Sequence, residues 1–575
     1  MRRAFSGHGA SRGNALGRAR LRITHPLAVA EASIEAKQVE SEIQRLHDAI
    51  DRVREEMHGL REQLHGALAA EVGEFLDMHA LLLDDPELLQ GLDELIRQGH
   101  YSADYALRLQ RDRLAEVFAG MDDAYLRSRQ EDIDHVIGRI HAALHDHEAQ
   151  LHGIAGDILI ADAIAPAELA QLQAKGVLAI VTAGGSTLSH TAILARSLHL
   201  PLITGAADAL HWINDGDVLA VDGGSGEIIL EPDAEDLRRH HLQQQAFRRE
   251  QRQLNRLRRE PSRSVDGIDI KLWANAETSE DVAHAHSLGA AGVGLYRTEF
   301  LFMGQRTLPD ETTQFRAYRD LVLGMTGRTV TIRTLDLGAD KADDTGLALR
   351  GEPNPALGLR GVRLSLARPD VLDTQLRAIA RASGYGPVRV LVPMVSCASE
   401  LADVRLRLQQ AVEAVRLAGH DTAAQIPLGA MIEVPSAALG LPGFIDQTDF
   451  ISVGTNDLVQ YLLAVDRTNE SLAHLYTPLH PAVLLVLHGI FRTANQHGVP
   501  VSVCGEMAGD ALLTPLLLAL GLREFSLHPG TLLEVRRAVR GSDIAALQRA
   551  ARRLRGFNDP AQVEHWLQKA QPALQ

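Results

Sequence analysis

The sequence has few of the residues that hold a secreted or membrane-spanning protein together. Its 575 residues include only two cysteines, Cys397 and Cys504, which excludes a disulfide framework and favours a reducing compartment. Its longest apolar run, 512–520, is too short to cross a bilayer and contains Pro515. The basic amino terminus lacks the apolar core of a signal peptide. We therefore expect a soluble, cytoplasmic protein with no membrane partner.

The sequence also has fewer basic than acidic residues. Asp and Glu number 74 against 58 Lys and Arg, which gives a formal net charge of −16. This balance argues against general affinity for nucleic acid, so we expect no nucleic-acid partner. The arginine-rich stretch 234–260 is accordingly interpreted as a solvated connecting helix rather than a nucleic-acid-binding or membrane-binding helix.

The character of the sequence changes along the chain. Residues 27–150 contain a single proline, Pro86, and long helical patterns, which indicate a helical bundle. Before and after this stretch, the segment GRARLRI and short apolar runs beyond residue 155 indicate a small α/β domain. From residue 265 on, eight apolar runs alternate with helical stretches, which predicts a closed parallel (β/α)8 barrel. The predicted barrel strands are 270–276, 291–300, 329–337, 389–395, 427–434, 449–457, 500–507 and 524–529.

The predicted fold class is α/β and multidomain. A helical domain is inserted in a small α/β domain, and the barrel follows at the carboxyl terminus. The predicted boundaries are 1–25 and 148–232 for the small domain, 26–147 for the helical domain, 233–262 for a linker helix and 263–575 for the barrel.

Charged residues, an amide and a thiol lie at or near the ends of several predicted barrel strands, where an apolar core does not need them. They are Arg297, Arg333, Glu433, Asn456, Asp457 and Cys504. The carboxyl ends of barrel strands converge on one mouth. Arginines, two carboxylates and a thiol that meet there predict a site for a metal-bound, multiply charged anion.

A second candidate site is the segment AGGSTLSHTAILAR, residues 183–196. It follows a predicted strand, and Ser189 as a helix N-cap would place His190 in the first turn of a helix. Free N–H groups and the helix dipole favour a bound phosphate there, and a histidine ring nitrogen can carry a phosphoryl group. Packing is the alternative for any one of the 26 histidines, but the glycine-rich setting favours a functional His190.

These motifs resemble those of the phosphoenolpyruvate-utilising enzymes. The His190 segment is similar to their phosphohistidine motif, and residues 71–90 resemble the carrier-binding helical segment of the enzyme I branch, from the bacterial sugar phosphotransferase system. Five barrel segments are similar to the phosphoenolpyruvate-binding half: GLYRTEFLFM (294–303), IRTLDLGADK (332–341), MIEVPSAA (431–438), SVGTNDLVQYLLAVDR (452–467) and CGEMAGD (504–510). The resemblance covers essentially the whole chain.

The resemblance implies an activity. A swivelling phosphohistidine domain takes the phosphoryl group of phosphoenolpyruvate onto His190, releases pyruvate, and passes the group to a histidine-containing phosphocarrier protein. It also implies a homodimer formed through the barrel. Sugar uptake is favoured because no additional amino-terminal sensory domain is visible, and nitrogen-linked regulation stays open.

The resemblance also implies roles for individual residues. Arg297, Arg333 and Arg467 would bind the phosphate and carboxylate, with Arg360 nearby and Asn456 donating to the phosphate. Glu433 and Asp457, with substrate oxygens, suit Mg²⁺. Cys504, a thiol mostly protonated at neutral pH, would protonate the enolate of pyruvate. Surface ion pairs for the arginines, pairing of the carboxylates with them, and a buried apolar role for the thiol are the alternatives.

The carrier-docking surface implied by the resemblance lies on the helical domain. Its candidate residues are Met78, His79, Leu82, Leu83 and Arg129. Because leucines in a helical bundle commonly form its core, the alternative for these leucines is a purely structural role.

The sequence departs from the family pattern at two places. Where the family has Gly-Gly-x-Thr-Ser-His, this chain has either one more residue between the glycines and the histidine, or Ser186 and Leu188 in place of the second glycine and the threonine. Ala339 replaces the second glycine of Gly-Gly-Asp-Lys. Two other functions are alternatives. A pyruvate, phosphate dikinase or phosphoenolpyruvate synthase would need a large nucleotide-binding domain, and no glycine-rich nucleotide loop occurs in the first 150 residues. A regulatory protein without turnover is disfavoured by the complete set of candidate residues.

Overall fold

The protein is described here from a computed structural model. It describes residues 2–22, 32–63, 83, 85–119, 133, 136–141, 143–144, 154–164, 166–185, 190–198, 200–303, 307–338, 352, 354–467 and 470–570. The chain divides into two compact units, Met1–Gln251 and Arg252–Gln575. Within the described ranges, no helix is both long and apolar enough to span a membrane.

The first unit is built on an eight-stranded mixed sheet. Its strands are β1 (Arg3–Ser6), β2 (His8–Ser11), β3 (Asn14–Arg22), β4 (Asp157–Ala161), β5 (Ala179–Thr182), β6 (Leu202–Thr204), β7 (Val218–Asp222) and β8 (Glu227–Leu230). The strand order is β1-β8-β7-β3-β4-β5-β6-β2. β3 to β6 run parallel, and the remaining neighbours pair antiparallel.

The two outermost strands were not predicted. β1 and β2 contain RAFS and HGAS, which lack the alternation of large apolar residues by which a strand is recognised in sequence. Each pairs on one side only, at an edge of the sheet, where a short polar strand is ordinary. The segment GRARLRI lies largely in β3, and short apolar runs beyond residue 155 form β4 to β8, as expected for a small α/β domain.

Helices pack against this sheet and against one another. They are α1 (Val39–Gln63), α2 (Pro86–Gly99), α3 (Ala103–Ala119), α4 (Pro166–Ala174), α5 (His190–Ser197), α6 (Ala207–Leu210) and α7 (Ala234–Arg256). α2 begins at Pro86, and proline suits the first turn of a helix because its missing N–H has no partner there. Buried residues of α1 to α3 form one apolar cluster with residues of β4, β5 and α5. α7 confirms the predicted connecting helix and is followed by a 3-10 turn, Leu257–Arg259.

The second unit contains the predicted barrel, which is confirmed. Its eight strands are β9 (Lys271–Ala276), β10 (Val293–Tyr296), β11 (Val330–Arg333), β12 (Val388–Val392), β13 (Leu428–Ile432), β14 (Phe450–Val453), β15 (Val501–Val503) and β16 (Glu524–Leu527). Every neighbouring pair is parallel, and β16 pairs with β9 to close the barrel. The strands are almost wholly buried, as expected when helices cover a parallel sheet.

Helices surround the barrel and extend beyond it. They are α8 (Ser279–Ser287), α9 (Glu311–Gly324), α10 (Val362–Ala367), α11 (Pro369–Ala382), α12 (Ala398–Leu417), α13 (Pro435–Gly440), α14 (Thr455–Leu463), α15 (Pro481–His497), α16 (Glu506–Gly509), α17 (Thr514–Leu520), α18 (Leu532–Arg540), α19 (Ile544–Ala551) and α20 (Pro560–Ala570). Short 3-10 turns include Glu299–Leu301 and Pro355–Leu357. One continuous apolar core joins helices and barrel strands.

Several predicted strands are longer than the observed ones, and two of them, 449–457 and 500–507, run into helices α14 and α16. The run 449–457 was predicted as a single strand, but β14 ends at Val453 and α14 begins at Thr455. Gly454 makes the turn between them, so Asn456 and Asp457 lie in the first turn of a helix rather than at a strand end. The correction keeps both residues at the carboxyl end of β14, which is the mouth of the barrel.

Candidate active site

The predicted barrel-mouth residues leave the carboxyl ends of neighbouring strands. Arg297 follows β10, Arg333 ends β11, Glu433 follows β13 and Cys504 follows β15. Since all eight strands are parallel, these positions share one end of the barrel. The backbone of each strand is fixed by ladder hydrogen bonds, so the side chains that follow it start from rigid points.

Arg333 is buried and lies between two carboxylates. Its Nη2 donates to Glu299 Oε1 at 3.0 Å, and its Nη1 lies 3.2 Å from Asp336 Oδ2. Burial disfavours the charged guanidinium, but the charges of Glu299 and Asp336 outweigh burial and raise the pKa of Arg333. Arg333 therefore stays cationic, and its Nε makes no hydrogen bond among the described residues.

Arg360 joins the same group through Asp336. Its Nε and Nη2 donate to the two carboxylate oxygens of Asp336 at 3.1 and 2.9 Å. Its Nη2 also lies 3.8 Å from Asp457 Oδ2. Burial opposes its charge, yet Asp336 and Asp457 raise the pKa of Arg360. The structure thus places Arg360 in the cluster, where the sequence left a surface ion pair open.

The other predicted anion-binding residues lie in more open positions. Arg297 donates from Nη1 to Glu277 Oε1 at 2.6 Å, and its side chain is 41% exposed. Arg467 is exposed, and its backbone N–H donates to Gln460. Asn456 donates from Nδ2 to the Glu506 carboxylate at 3.3 Å and accepts from the Glu506 backbone N–H at 2.9 Å.

Glu433 and Asp457 form a buried pair of carboxylates. Glu433 is 1% exposed and accepts a 2.6 Å hydrogen bond from the Met394 backbone N–H. Burial, together with the negative charges of Asp457 and Asp336, raises the pKa of Glu433 to about 8. Asp457 Oδ1 is buried without a hydrogen-bond partner in the described part of the chain. The Glu433 carboxylate, whose charge burial and Asp457 disfavour, and the unpaired Asp457 oxygen fit a hard divalent cation.

Glu433 and Asp457 would be two ligands of such a metal ion, and the described side chains do not supply a third. No group of three or more His, Cys, Asp and Glu side chains that could hold a metal ion occurs in the residues that the structure describes. Glu433 and Asp457 therefore fit the predicted arrangement, in which substrate and water oxygens supply the remaining ligands.

Cys504 is a buried thiol beside these charges. It is 5% exposed, and its Sγ donates to the Val453 carbonyl at 3.5 Å. Burial, assisted by the charge of Glu433, raises the pKa of Cys504 to about 11, although Ser452 and Arg333 act in the opposite direction. The thiol therefore holds its proton through the neutral range, as a general acid must. Cys397, by contrast, is exposed.

Comparison with known proteins identifies the scaffold that carries this geometry. The family model described as "PEP-utilising enzyme, PEP-binding domain" matches residues 251–544. The models of the N-terminal domain and the mobile domain of PEP-utilising enzymes match residues 6–129 and 153–226. The phosphoenolpyruvate-protein phosphotransferase of Cupriavidus necator is 42% identical over 93% of this chain and 94% of its own. Those of Staphylococcus epidermidis and Listeria innocua are each 35% identical, over 94% and 96% of this chain and 95% and 96% of theirs.

The chain belongs to the phosphoenolpyruvate-protein phosphotransferase family. Within this family the match to the mobile domain spans the segment that contains His190. His190 opens α5, shortly after β5. The residues that distinguish its loop, Ser186 to Ser189, lie outside the described residues, and so does the predicted N-cap contact of Ser189.

The carrier-docking candidates are mostly beyond what the structure describes. Met78, His79, Leu82 and Arg129 lie outside the described residues, as does Ala339. Leu83 is described, and its side chain is 0% exposed within the apolar cluster of the first unit. Its burial favours the bundle-core alternative for that leucine.

Three acidic residues of the site were missed by the sequence analysis. Glu277, Glu299 and Asp336 each pair with a predicted substrate-binding arginine. Asp336 lies inside the quoted motif IRTLDLGADK, three residues after Arg333, and Glu299 lies inside GLYRTEFLFM, two residues after Arg297. For Glu299 and Asp336, the signal that could have found them is the need of the buried Arg333 and Arg360 for nearby carboxylates.

Proposed function

We propose that this protein transfers the phosphoryl group of phosphoenolpyruvate to His190 and from there to a histidine-containing phosphocarrier protein, as the first step of sugar phosphorylation during uptake. The single observation that supports this most is the cluster of Arg333, Arg360, Glu433, Asp457 and Cys504 at one end of the barrel. It combines cations, a carboxylate pair and a protonated thiol, which are the groups that this reaction uses.

The arginines bind the substrate in this proposal. Phosphoenolpyruvate carries a phosphate and a carboxylate, and the planar guanidinium group bonds either one at two points. Arg297 and Arg333 contact these anionic groups, with Arg360 nearby, Arg467 approaching from the exposed rim and the Asn456 amide donating to the phosphate. Because Arg333 and Arg360 already sit in fixed ion pairs, little reorganisation is needed when the substrate arrives.

Glu433 and Asp457 would hold Mg²⁺. When bound, the ion neutralises charge that develops on the transferring phosphoryl group. The Met394 N–H keeps the Glu433 carboxylate in place.

The chemical step is an in-line displacement at phosphorus. The His190 ring nitrogen forms the new N–P bond as the P–O bond to the enolate carbon chain breaks. The Cys504 thiol gives its proton to the methylene carbon of the enolate, which yields pyruvate and leaves a thiolate that regains a proton from solvent. A thiol pKa of about 11 keeps this proton available at neutral pH.

His190 and the barrel belong to different compact units. The proposed reaction therefore requires the unit that carries His190 to visit the barrel mouth and then the phosphocarrier. We propose that motion about the connecting segment 233–262 provides this, on the microsecond to millisecond timescale typical of hinge motions. The homodimer, the cytoplasmic location and the carrier-docking role of the helical domain remain predictions from the family resemblance.

Labelling with radioactive phosphoenolpyruvate tests the proposal. With Mg²⁺, the wild-type chain should acquire a phosphate that is labile in acid and stable in base, and a chelator should abolish the labelling. His190→Ala should not label, whereas the control variant His211→Ala, which changes an exposed histidine of the same unit, should label normally. Labelling of His190→Ala at the wild-type level would contradict the assignment of the nucleophile.

The second half of the reaction has its own test. A labelled protein, freed of phosphoenolpyruvate, should lose its phosphate to an added histidine-containing phosphocarrier protein within seconds to minutes. A label that persists in the presence of the carrier, or that moves to ADP instead, would contradict the proposed acceptor.

A further inference from the structure

Asp336 lies at the centre of the charged cluster. Its side chain is 2% exposed, and it contacts both Arg333 and Arg360. Two hydrogen bonds, 3.1 and 2.9 Å long, join its carboxylate oxygens to Nε and Nη2 of Arg360. Its Oδ2 also lies 3.2 Å from Nη1 of Arg333. One carboxylate thereby ties together arginines that leave different parts of the barrel mouth.

The surroundings leave this carboxylate little freedom. Its backbone N–H donates to Glu299 Oε1 at 2.8 Å, the same oxygen that accepts from Arg333. Gly361 has a φ of +57°, and a methyl group at that position would lie 3.2 Å from Asp336 Oδ1. Only a residue without a Cβ takes this backbone conformation so close to the pair at low cost.

The charge and the hydrogen bonds of Asp336 have opposite effects on the affinity of the site for an anion. Its negative charge, deep in a site that receives an anion, weakens binding by repulsion. Its hydrogen bonds, in contrast, hold two long side chains that would otherwise have to be ordered when the substrate binds. A carboxylate that acts by charge alone therefore weakens substrate binding, while one that acts by geometry strengthens it.

We propose that Asp336 is a positioning residue: it holds Arg360 and Arg333 in the orientation that binds the anionic groups of the substrate. The inference rests on the proposed function, because the arginines are taken as the substrate-binding groups. Asp336 itself contacts arginines and not the substrate. Glu299 and Asp336 then both hold Arg333, and Asp336 holds Arg360 through two hydrogen bonds, while Asp457 lies farther from Arg360 at 3.8 Å.

Direct binding measurements distinguish the effect of the Asp336 hydrogen bonds on substrate affinity from the effect of its negative charge. In the full chain with His190→Ala, which blocks transfer, calorimetric titration with phosphoenolpyruvate and Mg²⁺ gives Kd. Adding Asp336→Asn should raise Kd by about 10- to 100-fold, the effect of losing oriented hydrogen bonds to a charged group. An unchanged or lower Kd would overturn the inference, since loss of the negative charge alone favours an anion.

A double-mutant cycle tests whether Asp336 acts through Arg360. Arg360→Lys keeps the positive charge but cannot form the two-point contact with Asp336. In that background, Asp336→Asn should raise Kd by a clearly smaller factor, because the contacts with Arg360 are already lost and only the contact with Arg333, which Glu299 also holds, remains to be removed. Full additivity of the two substitutions would overturn the positioning role.

Turnover measurements distinguish a positioning role from a purely structural one, because only a positioning role predicts a selective rise in KM. In the chain with His190 intact, Asp336→Asn should raise KM for phosphoenolpyruvate by about the same factor as Kd and change kcat less. If Asp336→Asn does not fold cooperatively in urea, Asp336→Glu replaces it. Glutamate keeps the charge and displaces the carboxylate by one methylene, so weaker binding is again expected and wild-type affinity overturns the inference.

Asp370→Asn is the matched control. Asp370 accepts two hydrogen bonds, 3.0 and 2.9 Å long, from Arg368 in the same unit, but its side chain is 63% exposed. It should leave Kd and KM unchanged. If phosphoenolpyruvate fails to bind the His190→Ala chain and fails to label wild type, the proposed function falls with the inference. If wild type labels normally and Asp336→Asn leaves the Kd for phosphoenolpyruvate of the His190→Ala chain unchanged, only the inference about Asp336 is overturned.

Discussion

Gly454 lies against the carboxylate of Glu433, so closely that a methyl group at position 454 would lie 2.5 Å from Oε2. No ordinary side-chain contact is that short, so Gly454→Ala must displace Glu433. We expect a loss of about 1–3 kcal/mol in the free energy of unfolding of the barrel. We also expect Mg²⁺-dependent labelling to fall further than stability, because the displaced group is a proposed metal ligand. Urea unfolding and a metal titration of labelling measure the two effects.

Gly440→Ala is the control for this substitution. Gly440 ends α13, close to Glu433 in sequence, and no atom lies within 4 Å of the position that its Cβ would take. We expect a stability change of about 0.4–1 kcal/mol in the favourable direction, since alanine restricts the unfolded chain. Labelling should not change. Equal losses of metal-dependent labelling in both variants would contradict the role of the Gly454–Glu433 contact.

The two cysteines should differ strongly in reactivity. Cys397 is exposed, while Cys504 is buried with a pKa of about 11. The thiolate is the reactive form, so at pH 8 iodoacetamide should modify Cys397 first and leave Cys504 largely intact. In a Cys397→Ser chain, modification of Cys504 should accelerate as pH rises and level off only near pH 11. Peptide mass spectrometry after timed quenching measures both rates.

The same raised pKa has a consequence for stability. An unfolded chain releases the Cys504 proton near pH 8.5, below the folded-state value of about 11. The contribution of the buried neutral thiol to stability is therefore complete below pH 8.5 and declines as pH rises towards 11. Cys504→Ala should remove this part of the alkaline decline. A plateau near pH 8.5 in the modification rate of the Cys397→Ser chain would contradict the raised pKa.

The barrel was predictable from local sequence because its strands are buried on both faces. Such strands appear as short apolar runs between helical patterns, and every observed strand from β9 to β16 lies within or overlaps a predicted run. The boundaries were less predictable. Asn456 and Asp457 continue an apolar run, and only the turn at Gly454 shows that a helix has begun.

The partners of the arginines could not be predicted from local pattern. Glu299 and Arg333 are 34 residues apart in sequence, and Asp336 and Arg360 are 24 apart. No periodicity links residues at such separations; the pairing of β10 with β11 and the folding of the connection after β11 bring them together. The resemblance identified which arginines to expect, while the acidic residues that orient them emerged from three-dimensional packing. Edge strands β1 and β2 were missed for the opposite reason, since their short polar sequences carry little local signal.

The amino terminus of the first unit is held by an ion pair between Arg2 and Asp236. Arg2 donates from Nε and Nη2 to the two Asp236 oxygens at 2.6 and 3.0 Å. This contact is the main reason that the pKa of Asp236 is lowered to about 2. A lowered pKa contributes stability that is present above about pH 4 and lost as pH falls towards 2.

Asp236→Asn should remove this pH dependence locally. Because β1 begins at Arg3 and pairs with β8, amide hydrogens in both strands should exchange faster in the variant at pH 6. The difference from wild type should shrink as pH falls from about 4 to 2. Asp208→Asn, at an exposed position of the same unit, should exchange like wild type at every pH. Hydrogen exchange with mass spectrometry measures all three chains.

Arg536 is a buried arginine in the second unit whose hydrogen bonds go to neutral groups. It is 2% exposed and makes five hydrogen bonds between 2.7 and 3.0 Å. The acceptors are the carbonyl oxygens of Leu257, Arg258, Leu288 and Gly289 and the hydroxyl of Ser262. The residue therefore joins the segment before the barrel to the end of α8.

Arg536→Lys should destabilise the barrel although it conserves charge. A lysine has three donors on one atom and cannot reach acceptors spread around a planar guanidinium, so carbonyls are left unpaired in a buried place. We expect a loss of about 2–4 kcal/mol. In a Trp212→Phe background the remaining tryptophans, Trp273 and Trp566, both lie in the second unit, so their fluorescence during urea unfolding reports on this unit alone.

Arg540→Lys, one turn further along α18, separates this effect from a general intolerance of lysine. Arg540 is 37% exposed and donates to the Pro261 carbonyl at 3.0 Å. Its replacement should cost less than about 1 kcal/mol, as is usual for a solvated contact. Since α18 carries both residues, a defect of helix propensity would affect the two variants alike. Equal destabilisation of Arg536→Lys and Arg540→Lys would therefore show that the five-bond arrangement contributes no more than an ordinary surface arginine.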